Sequence, residues 1–164
     1  MKDILEEFLP RLNGFALRLT NDRHRDEDLT QEAFLRAWRR RRQLRNVDSV
    51  RTWLFRIAAN LWKDELRKSA RFTKAADSIL RDISDSSEPA DRAVEEQDEL
   101  TRARQAMSGL PNRQREVLYL VAIEQCSIAE AGEILEITAN SVKSNLSQAR
   151  KRMRELLGQQ CKNQ

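Results

Sequence analysis

Ser127-Ile128-Ala129-Glu130-Ala131-Gly132-Glu133-Ile134-Leu135-Glu136-Ile137-Thr138-Ala139-Asn140-Ser141-Val142-Lys143 decides the fold of this chain. Ser127 with Glu130 three residues on is a capping box, a reciprocal pair that opens a helix. The apolar pattern stops near Leu135, and Glu136-Ile137-Thr138 makes a tight connection. A second helix follows, with Val142, Leu146, Ala149, Met153 and Leu156 on one face. A short helix, a tight turn and a second helix form a helix-turn-helix, whose second helix enters the DNA major groove. Gly132 falls where the two helices pack closely. The face opposite the apolar stripe carries Lys143, Ser144, Ser147, Gln148 and Lys151. Lys suits guanine acceptors, Gln pairs with adenine and Ser is permissive. Arg150, Arg152 and Arg154 suit phosphates. A merely solvated helix face has the same composition.

Upstream, Leu100, Ala103 and Met107 space a helix that ends at Ser108-Gly109. Pro111 suits the first turn of the next helix, whose inner face is Val117, Leu118 and Val121. The N-terminal part is also helical by period. Ile4, Phe8, Leu12, Phe15 and Leu19 form one stripe, in which Pro10 starts or bends the helix. Leu29, Ala33 and Ala37 form a second, flanked by Phe34 and Trp38. Trp53, Leu54, Ile57, Ala58 and Leu61 form a third. Asn21-Asp22 closes the first helix, and Asp48-Ser49 caps the third. Trp38, Trp53 and Trp62 read first as core.

Composition agrees with an all-α protein. The 164 residues include only 4 Gly and 3 Pro, too few for the turns of an all-β fold or for glycine-rich nucleotide loops. Two cysteines, Cys126 and Cys161, make no disulfide framework, and a lone histidine, His24, leaves no His-based metal cluster or catalytic triad. No cofactor and no small-molecule substrate are expected. No apolar run is long enough to span a membrane, and the start of the chain lacks the apolar core of a secretion signal, so the expected compartment is the cytoplasm. The net charge of +4 conceals a pattern: residues 1–70 carry +5, residues 71–97 carry −3 and residues 98–164 carry +2. The expected organisation is a helical domain over 1–70, a flexible acidic linker over 71–97 and a helix-turn-helix domain over 98–160.

Three blocks carry a family resemblance. Leu110-Pro111-Asn112-Arg113-Gln114-Arg115-Glu116-Val117-Leu118, with Ser127-Ile128-Ala129-Glu130 and Ser141 to Arg152, resembles the −35-reading domain of bacterial sigma factors. Asp26-Glu27-Asp28-Leu29-Thr30-Gln31-Glu32-Ala33-Phe34-Leu35-Arg36-Ala37-Trp38 resembles their polymerase-binding helix. Thr52-Trp53-Leu54-Phe55-Arg56-Ile57-Ala58-Ala59-Asn60 resembles the helix that reads and opens the −10 element. The compact two-domain layout is similar to the extracytoplasmic-function (ECF) group of the sigma-70 family. The resemblance implies a factor that binds bacterial RNA polymerase core and promoter DNA, does no bond chemistry of its own, and has an anti-sigma factor as a further partner, able to hold it near the membrane. It implies core binding through Asp28, Gln31 and Glu32, where Asp28 and Glu32 are helical neighbours. It implies −10 contacts through Arg39, Arg40, Arg41, Arg42, Arg45, Asn46, Asp48, Ser49, Trp53, Asn60, Lys63 and Arg67. Flipping a −10 base into a pocket costs a few kcal/mol, recovered by edge hydrogen bonds. It implies −35 contacts through Ser141, Lys143, Ser144, Asn145, Ser147, Gln148 and Lys151.

The chain departs from the family pattern at Glu136 and Asn140, where the family often has Gly; Asn140 suits a turn or cap. The loop from Leu44 to Ser49 lacks an aromatic residue that some relatives carry. Two other classes stay open on the residues alone: a polymerase-independent helix-turn-helix regulator, and a helical protein-interaction adaptor.

Overall fold

The computed structural model describes residues 2–44, 46, 49–76 and 98–160. Arg45, Asp48, Cys161 and the acidic stretch 77–97 lie outside the described residues. The described residues form helices and turns with no strand, and the chain divides into two compact units, Met1–Pro89 and Ala90–Gln164.

The first unit holds α1 (Lys2–Glu7), α2 (Leu9–Thr20), α3 (Arg23–Arg40), a 3-10 turn (Arg41–Gln43) and α4 (Val50–Ala76). Pro10 sits in the first turn of α2, where its missing N–H costs nothing. Asn21 ends α2 in the left-handed region at φ 54°, where Asn is tolerated better than most residues, and its N–H reaches the Leu17 carbonyl. Asp22 then caps α3, accepting from the backbone N–H of His24 at 2.8 Å. That bond, more than any other influence, holds the Asp22 carboxyl below its ordinary value. Leu12, Phe15 and Leu19 meet Ala33 and Ala37 of α3 and Leu54, Phe55 and Ala58 of α4 in a closed core. The rings of Phe15 and Phe55 stack with centroids 5.0 Å apart.

The buried face of α4 differs from the expected stripe. Phe55 and Trp62 are buried, whereas Trp53 and Ile57 are only half-buried. Trp38 is also half-buried, so its expected core role holds only in part. Helix α4 continues to Ala76, past residue 70.

The second unit holds α5 (Asp98–Ser108), α6 (Asn112–Leu118), a π turn (Tyr119–Ile123), α7 (Ile128–Leu135) and α8 (Ala139–Gln160). Its core gathers Ala106, Met107, Leu110, Val117, Leu120, Ile134, Leu135, Val142, Leu146 and Ala149. Of the residues expected on the inner face of α5, Met107 is buried, Ala103 is half-buried and Leu100 is exposed; Ala106 joins Met107 in the core. Pro111 is the residue before α6 and not part of its first turn. The π turn has no counterpart in the helical spacing. It is braced by the Tyr119 hydroxyl donating to Glu124 Oε1 at 3.2 Å.

Candidate nucleic-acid interface

The geometry of α7 and α8 is set by their turn. The capping box is complete: Glu130 N–H donates to Ser127 Oγ at 3.1 Å, and Ser127 N–H donates to Glu130 Oε2 at 2.8 Å. Helix α7 ends at Glu136, which takes φ 55° and ψ 47°, and its N–H reaches the Gly132 carbonyl. The Ile137 N–H reaches the same carbonyl at 3.0 Å. Two amides therefore draw the turn onto Gly132, and a Cβ there would lie 2.9 Å from the Ile137 oxygen. Glycine is required by close approach of backbone, as the sequence suggested.

Thr138 opens α8. Its Oγ1 accepts from the Ser141 N–H at 3.2 Å and its carbonyl from the Val142 N–H at 3.0 Å. Asn140 lies inside the first turn of α8, so it is not the cap the sequence suggested; the preceding threonine already supplies that oxygen.

With Val142, Leu146 and Ala149 buried, the opposite face of α8 shows Lys143, Ser144, Ser147, Gln148, Arg150 and Lys151 to solvent. Ser141 and Asn145 are half-buried at its edge. Asn145 Nδ2 donates to the Ser141 carbonyl at 2.9 Å, so one of its two amide hydrogens serves the helix. Gln148 is tied on two sides: its Oε1 accepts from Gln114 Nε2 at 2.9 Å, and its Nε2 faces Ser144 Oγ at 3.4 Å.

Behind this helix, α6 carries a buried polar set. Arg115 donates to the carbonyls of Leu110 at 3.0 Å and Ser108 at 3.3 Å, and to Asn112 Oδ1 at 2.8 Å. It ties α6 to the carboxyl end of α5. Glu116 accepts from Arg113 at 2.9 Å. Burial pushes the Glu116 carboxyl up, against the pull of Arg113 and Arg115. The buried roles of Gln114, Arg115 and Glu116 escaped the sequence reading, because a run of polar residues at a helix start reads as solvated.

On α3, Asp28 and Gln31 are exposed and Glu32 is half-buried. Glu32 Oε1 accepts from Arg36 Nε at 2.9 Å. Leu35, four residues after Gln31, is 46% exposed and extends the same row with an apolar group. The sequence reading missed it, although its offset from the Leu29, Ala33 and Ala37 stripe marks it as outward. Asp26 lies on the buried face of the same helix, with Leu29 and Ala33. It is 4% exposed, burial raises its carboxyl, and its Oδ1 has no hydrogen-bond partner.

The arginine run separates by role. Arg39, Arg40 and Arg42 are exposed. Arg41 turns back: it donates to the Trp38 carbonyl at 2.7 Å, and its guanidinium lies 4.2 Å from the Trp38 ring centroid. Its cation–π contact and its bond to a helix-end carbonyl fix the half-buried guanidinium against the end of α3. Asn46 and Ser49 are exposed and linked, Ser49 N–H donating to the Asn46 carbonyl at 3.2 Å. Along α4, Trp53, Asn60 and Lys63 are half-buried and Arg67 is exposed, paired with Asp64 at 3.6 Å. Arg56 stands between Trp53 and Asn60 on this row and was not among the expected contacts.

Among the described residues, no three His, Cys, Asp or Glu side chains converge as metal ligands. No helix among them is long and apolar enough to cross a membrane.

The Sigma-70 region 2 family model matches residues 4–72, and the Sigma-70 region 4 model matches residues 100–153. The chain is 33% identical to the ECF RNA polymerase sigma factor EcfG of Rhodopseudomonas palustris, over 96% of this chain and 84% of that protein. It is 32% identical to the ECF RNA polymerase sigma factor SigM of Bacillus subtilis, over 94% and 93%. It is 36% identical to a probable RNA polymerase sigma factor RfaY of Xanthomonas campestris, covering 89% of this chain but 37% of that longer protein. Among solved structures, the sigma factor RpoE in complex with the anti-sigma factor NepR from Bartonella quintana superposes with a TM-score of 0.76 at 28% identity, over 96% of this chain and 98% of that one. The matched regions lie on the two units just described, in the order of the sequence blocks, and the chain belongs to the sigma-70 family of RNA polymerase sigma factors, in its ECF group.

Proposed function

We propose that this chain directs RNA polymerase core to promoters by reading two DNA elements with its two units. The observation that carries this reading is α8: an apolar face locked into its unit, and a free face of Lys143, Ser144, Ser147, Gln148 and Lys151 held at a fixed angle by the Gly132 turn. In the major groove, Lys143 and Gln148 reach base edges while Arg150 and Lys151 meet phosphates. The α4 row of Trp53, Arg56, Asn60, Lys63 and Arg67, with Arg39, Arg40 and Arg42 beside it in sequence, supplies the −10 surface. Arg45 and Asp48 belong to the same proposed loop.

Core polymerase docks on the α3 edge of Asp28, Gln31, Glu32 and Leu35. An acidic row with an apolar end suits a basic helical partner, and docking loosens the Glu32–Arg36 pair. Residues 77–97, beyond the end of α4, act as an acidic tether; extended, they would reach about 70 Å, against roughly 50 Å between the two elements. The factor works in the cytoplasm, performs no bond chemistry and is held in check by an anti-sigma partner, as the RpoE–NepR complex is an example of.

Promoter-dependent transcription with purified core polymerase tests this. Wild type should initiate at discrete sites in a library of genomic fragments. Glu32→Lys should lower initiation by about tenfold through lost core affinity, a charge-reversal effect of roughly 1.4 kcal/mol. Lys143→Glu should do so with core affinity intact. A factor that binds DNA without polymerase, or an adaptor indifferent to DNA, would show neither pattern.

A further inference from the structure

We infer that Gln114, a buried residue of α6, sets the base preference of α8 by locking the amide of Gln148. This rests on the reading of α8 as the −35 helix and adds a residue that makes no DNA contact itself.

Gln114 is 6% exposed and Gln148 is exposed. The Gln114 Nε2 donates to Gln148 Oε1 at 2.9 Å, across the packed face of α6 and α8. Gln114 Oε1 is buried without a hydrogen-bond partner, so the bond to Gln148 is what offsets the burial of this amide. A solvated glutamine on a helix surface rotates about three side-chain bonds and exchanges its oxygen and nitrogen freely. Here the oxygen is pinned inward by a group that itself cannot turn away without losing its partner. Ser144 Oγ then lies 3.4 Å from Gln148 Nε2, on the other side of the amide.

A carboxamide has two acceptor lone pairs and two donor hydrogens. Gln114 takes one lone pair and Ser144 faces one hydrogen. One acceptor and one donor remain, the complement of the N6 and N7 edge of adenine. A preset amide forms that pair without first losing rotamer freedom, so Gln114 is a positioning residue for one column of the promoter code.

The test uses the full chain assembled with core polymerase, selecting active promoters from a duplex library randomised across the −35 segment. Wild type should enrich adenine at one column, and Gln148→Ala should erase that column. Gln114→Met, which keeps volume but removes the donor, should relax adenine preference at the same column by about 3- to 10-fold and leave the other columns as they are. Loss spread evenly over all columns, or an unchanged adenine column, would overturn the proposal. So would a Gln148→Ala selection identical to wild type. Failure of wild type to enrich any sequence would instead sink the −35 reading itself.

If Gln114→Met does not fold, the exposed partner carries the test. Alanine is the better helix former, so a simply solvated Gln148 predicts a slight gain in stability for Gln148→Ala. The Gln114 lock predicts at least a fivefold rise in the unfolding equilibrium constant, because the Gln114 amino group is left buried and unpaired. A neutral or stabilised Gln148→Ala protein would overturn the lock.

Discussion

Gly132 and Asp26 show what a single residue can set in each unit. At Gly132 an added methyl meets a backbone oxygen at 2.9 Å, and no side-chain rotation relieves that. Gly132→Ala should cost about 1–3 kcal/mol, the usual range for overpacking, read as a lowered midpoint in urea melts. It should also weaken −35 DNA binding, since relief comes by moving α8. Asp26 acts through protonation. Burial raises its carboxyl, so between its ordinary and raised values the folded chain holds a proton the unfolded chain has released. Stability therefore falls as pH rises through that interval. Asp26→Asn should be more stable than wild type at pH 7, with the gap closing toward pH 4, in thermal melts run across that range. Gly132 was legible in the sequence because a glycine inside a short apolar helical pattern has few other uses. Asp26 was not: it lies three residues before Leu29, on the buried stripe, but in a visibly acidic run a carboxylate there reads as solvated like its exposed neighbours Glu27 and Asp28.

At the scale of elements, helix positions and faces followed from periodicity where one face meets one core, as in α2, α7 and α8. Helix α4 followed less well. Its buried arc is wider than a single stripe and takes in Phe55 and Trp62. That placement makes Phe55, stacked on Phe15, a test of the core. Phe55→Ala should destabilise the first unit by about 3–5 kcal/mol, seen as an earlier calorimetric transition. The π turn was invisible to helical spacing, which does not show the local side-chain bond from Tyr119 to Glu124 that braces it. The arginine run behaved similarly. Sequence marked it as the densest cationic stretch, but only three dimensions separate Arg41, folded onto Trp38, from exposed Arg39, Arg40 and Arg42.

For the whole molecule, the weak net charge of +4 is a poor guide to DNA binding, whereas the local surfaces are a good one. Each lysine or arginine that meets a phosphate releases counterions. In the assembled holoenzyme, Lys151→Ala should lower promoter affinity at every sequence by a similar factor and reduce the slope of log affinity against log salt by about one. An unchanged slope would place Lys151 away from the phosphates. The two-unit organisation and the charge alternation were legible because they are one-dimensional properties. Which polar residues serve the interior was not, since Gln114, Arg115 and Glu116 differ from surface residues only in what lies across from them.

The Gly132 carbonyl, holding two amides of the turn at once, has a thermodynamic consequence. The entropy of fixing α8 against α7 is spent when the chain folds, before any promoter arrives. Binding of the second unit to duplex DNA then involves little new ordering of its backbone, so its heat-capacity change should reflect only the surface that the groove covers, without the large negative value that accompanies coupled folding.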